Sequence, residues 1–160
     1  MGVKFEGVLS REGKWYAVGV PALEVWSQGK NRADAFRMIR EAVELSMERS
    51  IEVEVLPMAG NRFVLRAKDS QNDRYLVAMM LKNHRAKSGL SLSQVADRLK
   101  IARSTYAQYE QARSLPSVGK IETYISAMGG CDHVVLDVVS GDRRRLTKKA
   151  AGKKKGLRAA

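Results

Sequence analysis

The chain has 160 residues, 44% of them hydrophobic and 6% aromatic, enough for one ordinary domain or two small ones around a modest core. No apolar run approaches the roughly 18 residues of a membrane span, residues 1–9 lack the layout of a signal peptide, and a lone Cys131 argues against a disulfide framework or a cysteine-rich metal cluster. The formal net charge of +12 is uneven: 11 Lys/Arg against 10 Asp/Glu in residues 1–70, 9 against 6 in 71–140, and 9 against 1 in 141–160.

These features fit a cytoplasmic protein with no membrane partner. Residues 141–160 are mostly Ala, Gly, Lys and Arg, with almost nothing to bury, so they are expected to form a disordered basic tail. Such a tail either runs non-specifically along phosphate backbones or only keeps the protein soluble.

In chain order, Val3, Phe5, Gly7 and Leu9 alternate with Lys4 and Glu6, the periodicity of a strand. Arg11-Glu12-Gly13 reads as a hairpin turn, and residues 15–20 as a second strand rich in aromatic and β-branched residues. Pro21 ends it, and a short third strand is expected through residues 24–26. The period then changes. Asn31 is placed to cap a helix, with Asp34 in its first turn, and Ala35, Phe36, Ile39, Ala42, Val43 and Met47 follow at helical spacing, predicting one amphipathic helix over residues 32–48. Strand period returns at Ile51, Val53 and Val55, and after the Gly60-Asn61 turn at Phe63 and Leu65. The expected fold class is therefore α+β. It starts with a small β-β-β-α-β domain over residues 1–69, its last β a pair of strands, joined by a linker at 69–73 to a second domain over 74–140.

That second domain reads as all-α. Helices are expected over 74–87, from Ser91, over 103–111 and from Pro116-Ser117, with Gly89 and Gly129-Gly130 as stops. Ser91 and Gln94 have capping-box spacing, and Leu92, Val95, Ala96 and Leu99 mark the apolar face of the second helix. Residues 133–139 alternate as a final β-strand, predicted to pair with its copy in another chain because an exposed apolar edge would otherwise be sticky. Two short helices joined by a tight turn need a small residue at their crossing, here Ala96, and apolar locks, here Val95, Leu99, Ile101 and Tyr106. That arrangement pushes the following helix outward, where it fits a major groove about 12 Å wide.

The segment 89–96, then Leu99-Lys100-Ile101-Ala102-Arg103-Ser104-Thr105-Tyr106, then Tyr109-Glu110 and Pro116-Ser117, resembles the lambda-repressor-like, or XRE-type, helix-turn-helix family over about 55 residues. By that resemblance Arg103, Ser104 and Gln108 fall at base-contacting positions, and Thr105, Ser91 and Gln94 at phosphate-contacting ones. The chemistry agrees, since Arg can fork onto guanine and Gln onto adenine. The sequence departs from the family at three places. Lys100 stands at the usual turn Gly, which costs roughly 1–2 kcal/mol if the backbone there is left-handed. Ala102 replaces the usual cap, and Gln111-Ala112 replaces the Gly that usually follows Glu110.

Residues 1–70 hold no catalytic cluster, and no enzyme activity, cofactor or metal is expected. Glu52 and Glu54 read as a solvated strand face, and His84 and His133 lack local partners. The layout Lys4-Phe5-Glu6-Gly7, then Trp15-Tyr16-Ala17-Val18 before Pro21, then Ser27-Gln28-Gly29 and residues 35–45 on one helix, resembles the HicB antitoxin domain, a partial RNase H-like fold, over about 65 residues. The resemblance implies docking onto a small basic HicA-like RNA-cleaving toxin, with repression of the chain's own operon as a dimer or tetramer on double-stranded operator DNA. A basic partner wants an acidic or apolar face, for which Glu24, Trp26, Glu52 and Glu54 are the candidates. The competing expectation is an XRE-type transcription regulator whose first domain only dimerises or senses a ligand.

Overall fold

The computed structural model describes residues 2–129. The element order opens with β1 (Phe5–Glu12), β2 (Trp15–Val20), a 3-10 turn (Pro21–Leu23), β3 (Val25–Gly29) and α1 (Arg32–Leu45). It continues with β4 (Val53–Pro57), β5 (Arg62–Ala67), a second 3-10 turn (Ser70–Asn72) and four helices: α2 (Asp73–Ser88), α3 (Leu92–Leu99), α4 (Arg103–Glu110) and α5 (Val118–Ala127). The α+β class holds. The expected strand at 133–139 and the basic tail at 141–160 lie outside the described residues.

The strands form one antiparallel five-stranded sheet in the order β3-β2-β1-β5-β4. The alternation read in the sequence sorts its faces. Phe5, Leu9, Val18, Val20, Val25, Val53, Phe63, Leu65 and Ala67 are buried on the face that α1 covers with Ala35, Ile39 and Val43. Gly7 leaves room there for the Phe63 ring, where a Cβ would overlap it, and Gly29 lets the first turn of α1 approach β3 equally closely.

Three boundaries differ from the sequence reading. The β1–β2 turn is Gly13-Lys14, not 11–13, because Gly13 alone takes the positive φ (61°) that a two-residue hairpin loop asks of its first central position. Helix α1 stops at Leu45, three residues short of the expected 48, where Ser46 Oγ donates 2.7 Å back to the Ala42 carbonyl. Such back-bonding competes with the next turn. The third strand runs 25–29 rather than 24–26, with Glu24 outside it in a left-handed conformation (φ 53°). Asn31 caps α1 as read, its side chain accepting from the Asp34 amide at 2.8 Å.

The segment 69–73 is structured rather than a bare linker. Asp69 caps the second 3-10 turn, and Asp73 opens α2 while its Oδ2 accepts the Val3 amide at 2.7 Å. Asp73 is almost fully buried, and its second oxygen has no partner among the described residues. Leu76, Val77, Met79, Met80 and Leu81 of α2 belong to the same buried cluster as the sheet residues and as Val95, Tyr106, Ile121 and Ile125 of the following helices. The hydrophobic core is thus continuous from sheet to helices through α2.

Candidate nucleic-acid interface

Helix α3 begins with a complete capping box. Ser91 Oγ accepts the Gln94 amide at 3.1 Å and Gln94 Oε1 accepts the Ser91 amide at 2.8 Å. Val95 and Ala96 are the buried residues of α3, which packs on α4 and α5. Lys100 then turns the chain with φ 55°, so the left-handed backbone that favours Gly is present and Lys bears its strain. Ala102 is the α4 cap and offers no side-chain hydrogen bond, which leaves donors of the first α4 turn free for another acceptor.

Helix α4 is anchored on its inner side. Tyr106 is fully buried, packs edge-on against Tyr124 at 5.5 Å, and donates its hydroxyl to Met128 Sδ at 3.5 Å. Burial pushes that phenol's pKa well up, so it stays a neutral donor. Glu110 is buried and takes a bidentate pair from Arg85 of α2, with Nε at 2.8 Å and Nη2 at 2.9 Å, while Arg85 Nη1 donates to the Leu90 carbonyl at 3.2 Å. The fork-to-fork geometry sets both tilt and roll of α4 against α2. The family's usual Gly position after Glu110 is met by Ala112, left-handed at φ 54° and buried. Arg98 closes the far side by donating to the Ala127 carbonyl at 2.9 Å.

What remains outward is the polar side of α4. Arg103, Ser104, Thr105 and Gln108 are all exposed, as expected. At about 100° per residue, Arg103, Ser104, Ala107, Gln108 and Gln111 share one arc of about 140°, and Thr105 sits on its flank. Gln111 is exposed and joins this arc; the sequence reading missed it by treating the position only as a lost Gly. Ala107 adds a small apolar surface suited to a thymine methyl. An α-helix with its side chains is about 10–12 Å across, which a major groove about 12 Å wide admits. Ser91 and Gln94 stand exposed at the α3 start; the cap consumes one oxygen of each, leaving the hydroxyl proton and amide NH2 for a phosphate.

The four acidic and aromatic docking candidates are not brought together. Glu24 and Trp26 lie at the β3 edge, with Glu24 paired to Lys87 at 2.9 Å. Glu52 and Glu54 lie at the β4 edge, paired to Lys68 at 2.7 Å and to Arg66. A different surface gathers several acids and one exposed apolar residue around a cation: a depression after α1 lined by Glu41, Glu44, Leu45, Glu48, Arg49 and Glu52, with Leu45 86% exposed. Its signal in the sequence, acids at helical spacing beside an apolar residue that the helix end turns outward, depends on where α1 stops. Among the described residues no group of His, Cys, Asp and Glu could hold a metal ion, and no helix is long and apolar enough to cross a membrane.

Fold and surface together define a helix-turn-helix module built onto a five-stranded α+β unit. Comparison with known families agrees: residues 77–137 match a helix-turn-helix domain family, the kind of module with which regulators bind DNA. No curated protein matches the chain.

Proposed function

We propose that this chain is an antitoxin and autorepressor of the HicB type, binding double-stranded operator DNA through α4 and a small basic RNA-cleaving toxin through its sheet domain. The observation that carries the reading is the union of two parts on one core: an outward helix with Arg103 and Gln108 exposed, and a sheet unit of order β-β-β-α-β-β. The resemblance of residues 1–69 to the HicB domain supports the antitoxin half. Arg103 would fork onto a guanine and Gln108 onto an adenine, while Ser91, Gln94 and Thr105 meet phosphates. For the protein partner, the depression after α1 offers exposed Leu45 among Glu41, Glu44, Glu48 and Glu52. Glu48 and Glu52 are held by Lys82 and Lys68 in exposed ion pairs. Such pairs are worth only about 0–1 kcal/mol, so an incoming cation can exchange for either lysine.

Co-expression with the product of an adjacent short basic reading frame tests the proposal. The complex should purify intact and restore growth, and Leu45→Arg with Glu52→Lys should break it. A basic neighbour that neither binds nor harms growth contradicts the antitoxin reading. The separation of the four sheet-edge candidates favours the plain XRE-type regulator as second reading, and that reading predicts DNA binding with no such partner.

A further inference from the structure

We infer that the turn between β2 and β3 is a positioning element of the DNA-binding site, acting on α4 through Asn83 and His84 of α2. The inference rests on the reading of α4 as the helix that enters the groove. The core shows why such an element is needed. Along α2 the unbroken buried run is Leu76 to Leu81. Residues 82–85 are only half-buried, and 86–88 are exposed. Apolar packing therefore fixes the first part of α2 and leaves its last two turns to polar contacts. Yet Arg85, whose fork holds Glu110 of α4, stands in those last two turns.

The sheet unit supplies the missing contacts. Three side chains of α2 grip consecutive residues of one turn. His84 Nε2 donates to the Ala22 carbonyl at 3.1 Å, Asn83 Nδ2 to the Leu23 carbonyl at 2.8 Å, and Lys87 Nζ to Glu24 Oε1 at 2.9 Å. The turn is itself firmly held. Pro21 opens it, the Glu24 amide closes it on the Pro21 carbonyl at 3.0 Å, and the Leu23 side chain is fully buried. Glu24 keeps a left-handed backbone there, a strained state that persists only where neighbouring contacts impose it. At about 100° per residue, Asn83 and Lys87 leave α2 on one side and Arg85 on the opposite side. The same two helical turns thus take their position from the sheet unit and pass it to α4. A contact that only added stability would serve anywhere along α2; this one lies at the end that carries Arg85.

The test uses the full chain and two duplexes, one that it selects from a random pool and one of unrelated sequence. Asn83→Leu removes the donor at similar size. It should lower affinity for the selected duplex about tenfold, the worth of one base contact held out of line. Affinity for the unrelated duplex, and its salt dependence, should stay, because that binding comes from phosphate charge and not from base contacts. His84→Ala should act in the same direction. Circular dichroism sets a temperature at which each variant is folded, and His84→Ala decides the matter if Asn83→Leu does not fold. Two unfolded variants overturn the inference, since the contact then serves folding rather than pose. So does wild-type affinity for the selected duplex, which makes the turn a plain buttress, and so does an equal loss on both duplexes. A wild type that recovers no motif overturns the DNA reading, and the inference falls with it.

Discussion

Lys100 is the turn residue between α3 and α4, and its exposed side chain stands on a left-handed backbone. The motif puts a turn there, and the φ of 55° shows that the turn needs the conformation Gly adopts freely. Lys100→Gly should therefore raise stability by about 1 kcal/mol, measured by urea unfolding, because the side chain is exposed and nothing is lost from the core. An unchanged or lower midpoint would show that the strain is offset elsewhere. Asp73 makes a prediction in pH. Burial raises its carboxyl above the ordinary range, the Val3 amide opposing only in part. A carboxyl whose folded pKa lies above its unfolded one favours the folded state when protonated. Stability is then lost as pH rises from the ordinary value of about 3.9 through the raised one. Asp73→Asn keeps an acceptor for Val3 and carries no charge. It should be the more stable protein above that range, with the gap closing as the solution is acidified. A gap independent of pH would contradict the account.

At the scale of elements, the recognition helix owes its pose to α2. Two helices as short as α3 and α4, eight residues each, cannot fix an orientation by packing alone. The Arg85–Glu110 fork supplies it from inside the core. Arg85→Ala leaves the Glu110 carboxylate buried and unpaired and should cost about 3 kcal/mol of unfolding free energy in a urea titration. Loss of less than about 1 kcal/mol would mean the fork is not a stabilising lock. Sequence reading found both ends of this element pair only in part. Tyr106 and Val95 announced themselves by spacing, whereas Arg85 and Glu110 are polar residues 25 apart, and no local pattern marks two such residues as one buried pair. The caps at Asn31 and Ser91 were legible because capping is a contact within three residues. The end of α1 was not, because Ser46 competes for a backbone carbonyl in a way that apolar spacing does not register.

Over the whole molecule, strand alternation and helical spacing located the described strands and helices to within a few residues, most of them by one buried face, although α2 buries residues 76–81 consecutively. What they could not supply was how faces far apart in sequence meet. The docking candidates Glu24, Trp26, Glu52 and Glu54 looked like one acidic and aromatic group, but strand order sends them to opposite edges of the sheet. Likewise the segment 69–73 looked like a linker from its composition, yet Asp73 is pinned to Val3 across the fold. The charge distribution acts at this scale too. Removing residues 142–160, which carry 9 Lys/Arg against 1 Asp/Glu, should make the logarithm of DNA affinity fall less steeply with the logarithm of salt concentration, while sequence preference is kept. An unchanged slope would leave that segment no part in phosphate contact.

The most direct test is selection of bound duplexes by the full chain from a random DNA pool, followed by affinity for the recovered sequence. The chain should enrich one short motif repeated with two-fold symmetry. Arg103→Ala and Gln108→Ala should each weaken binding to it by about 1–3 kcal/mol and relax the preference at one base pair. A pool that yields no motif, or variants that bind as wild type does, would contradict the reading of α4 as the helix that enters the groove.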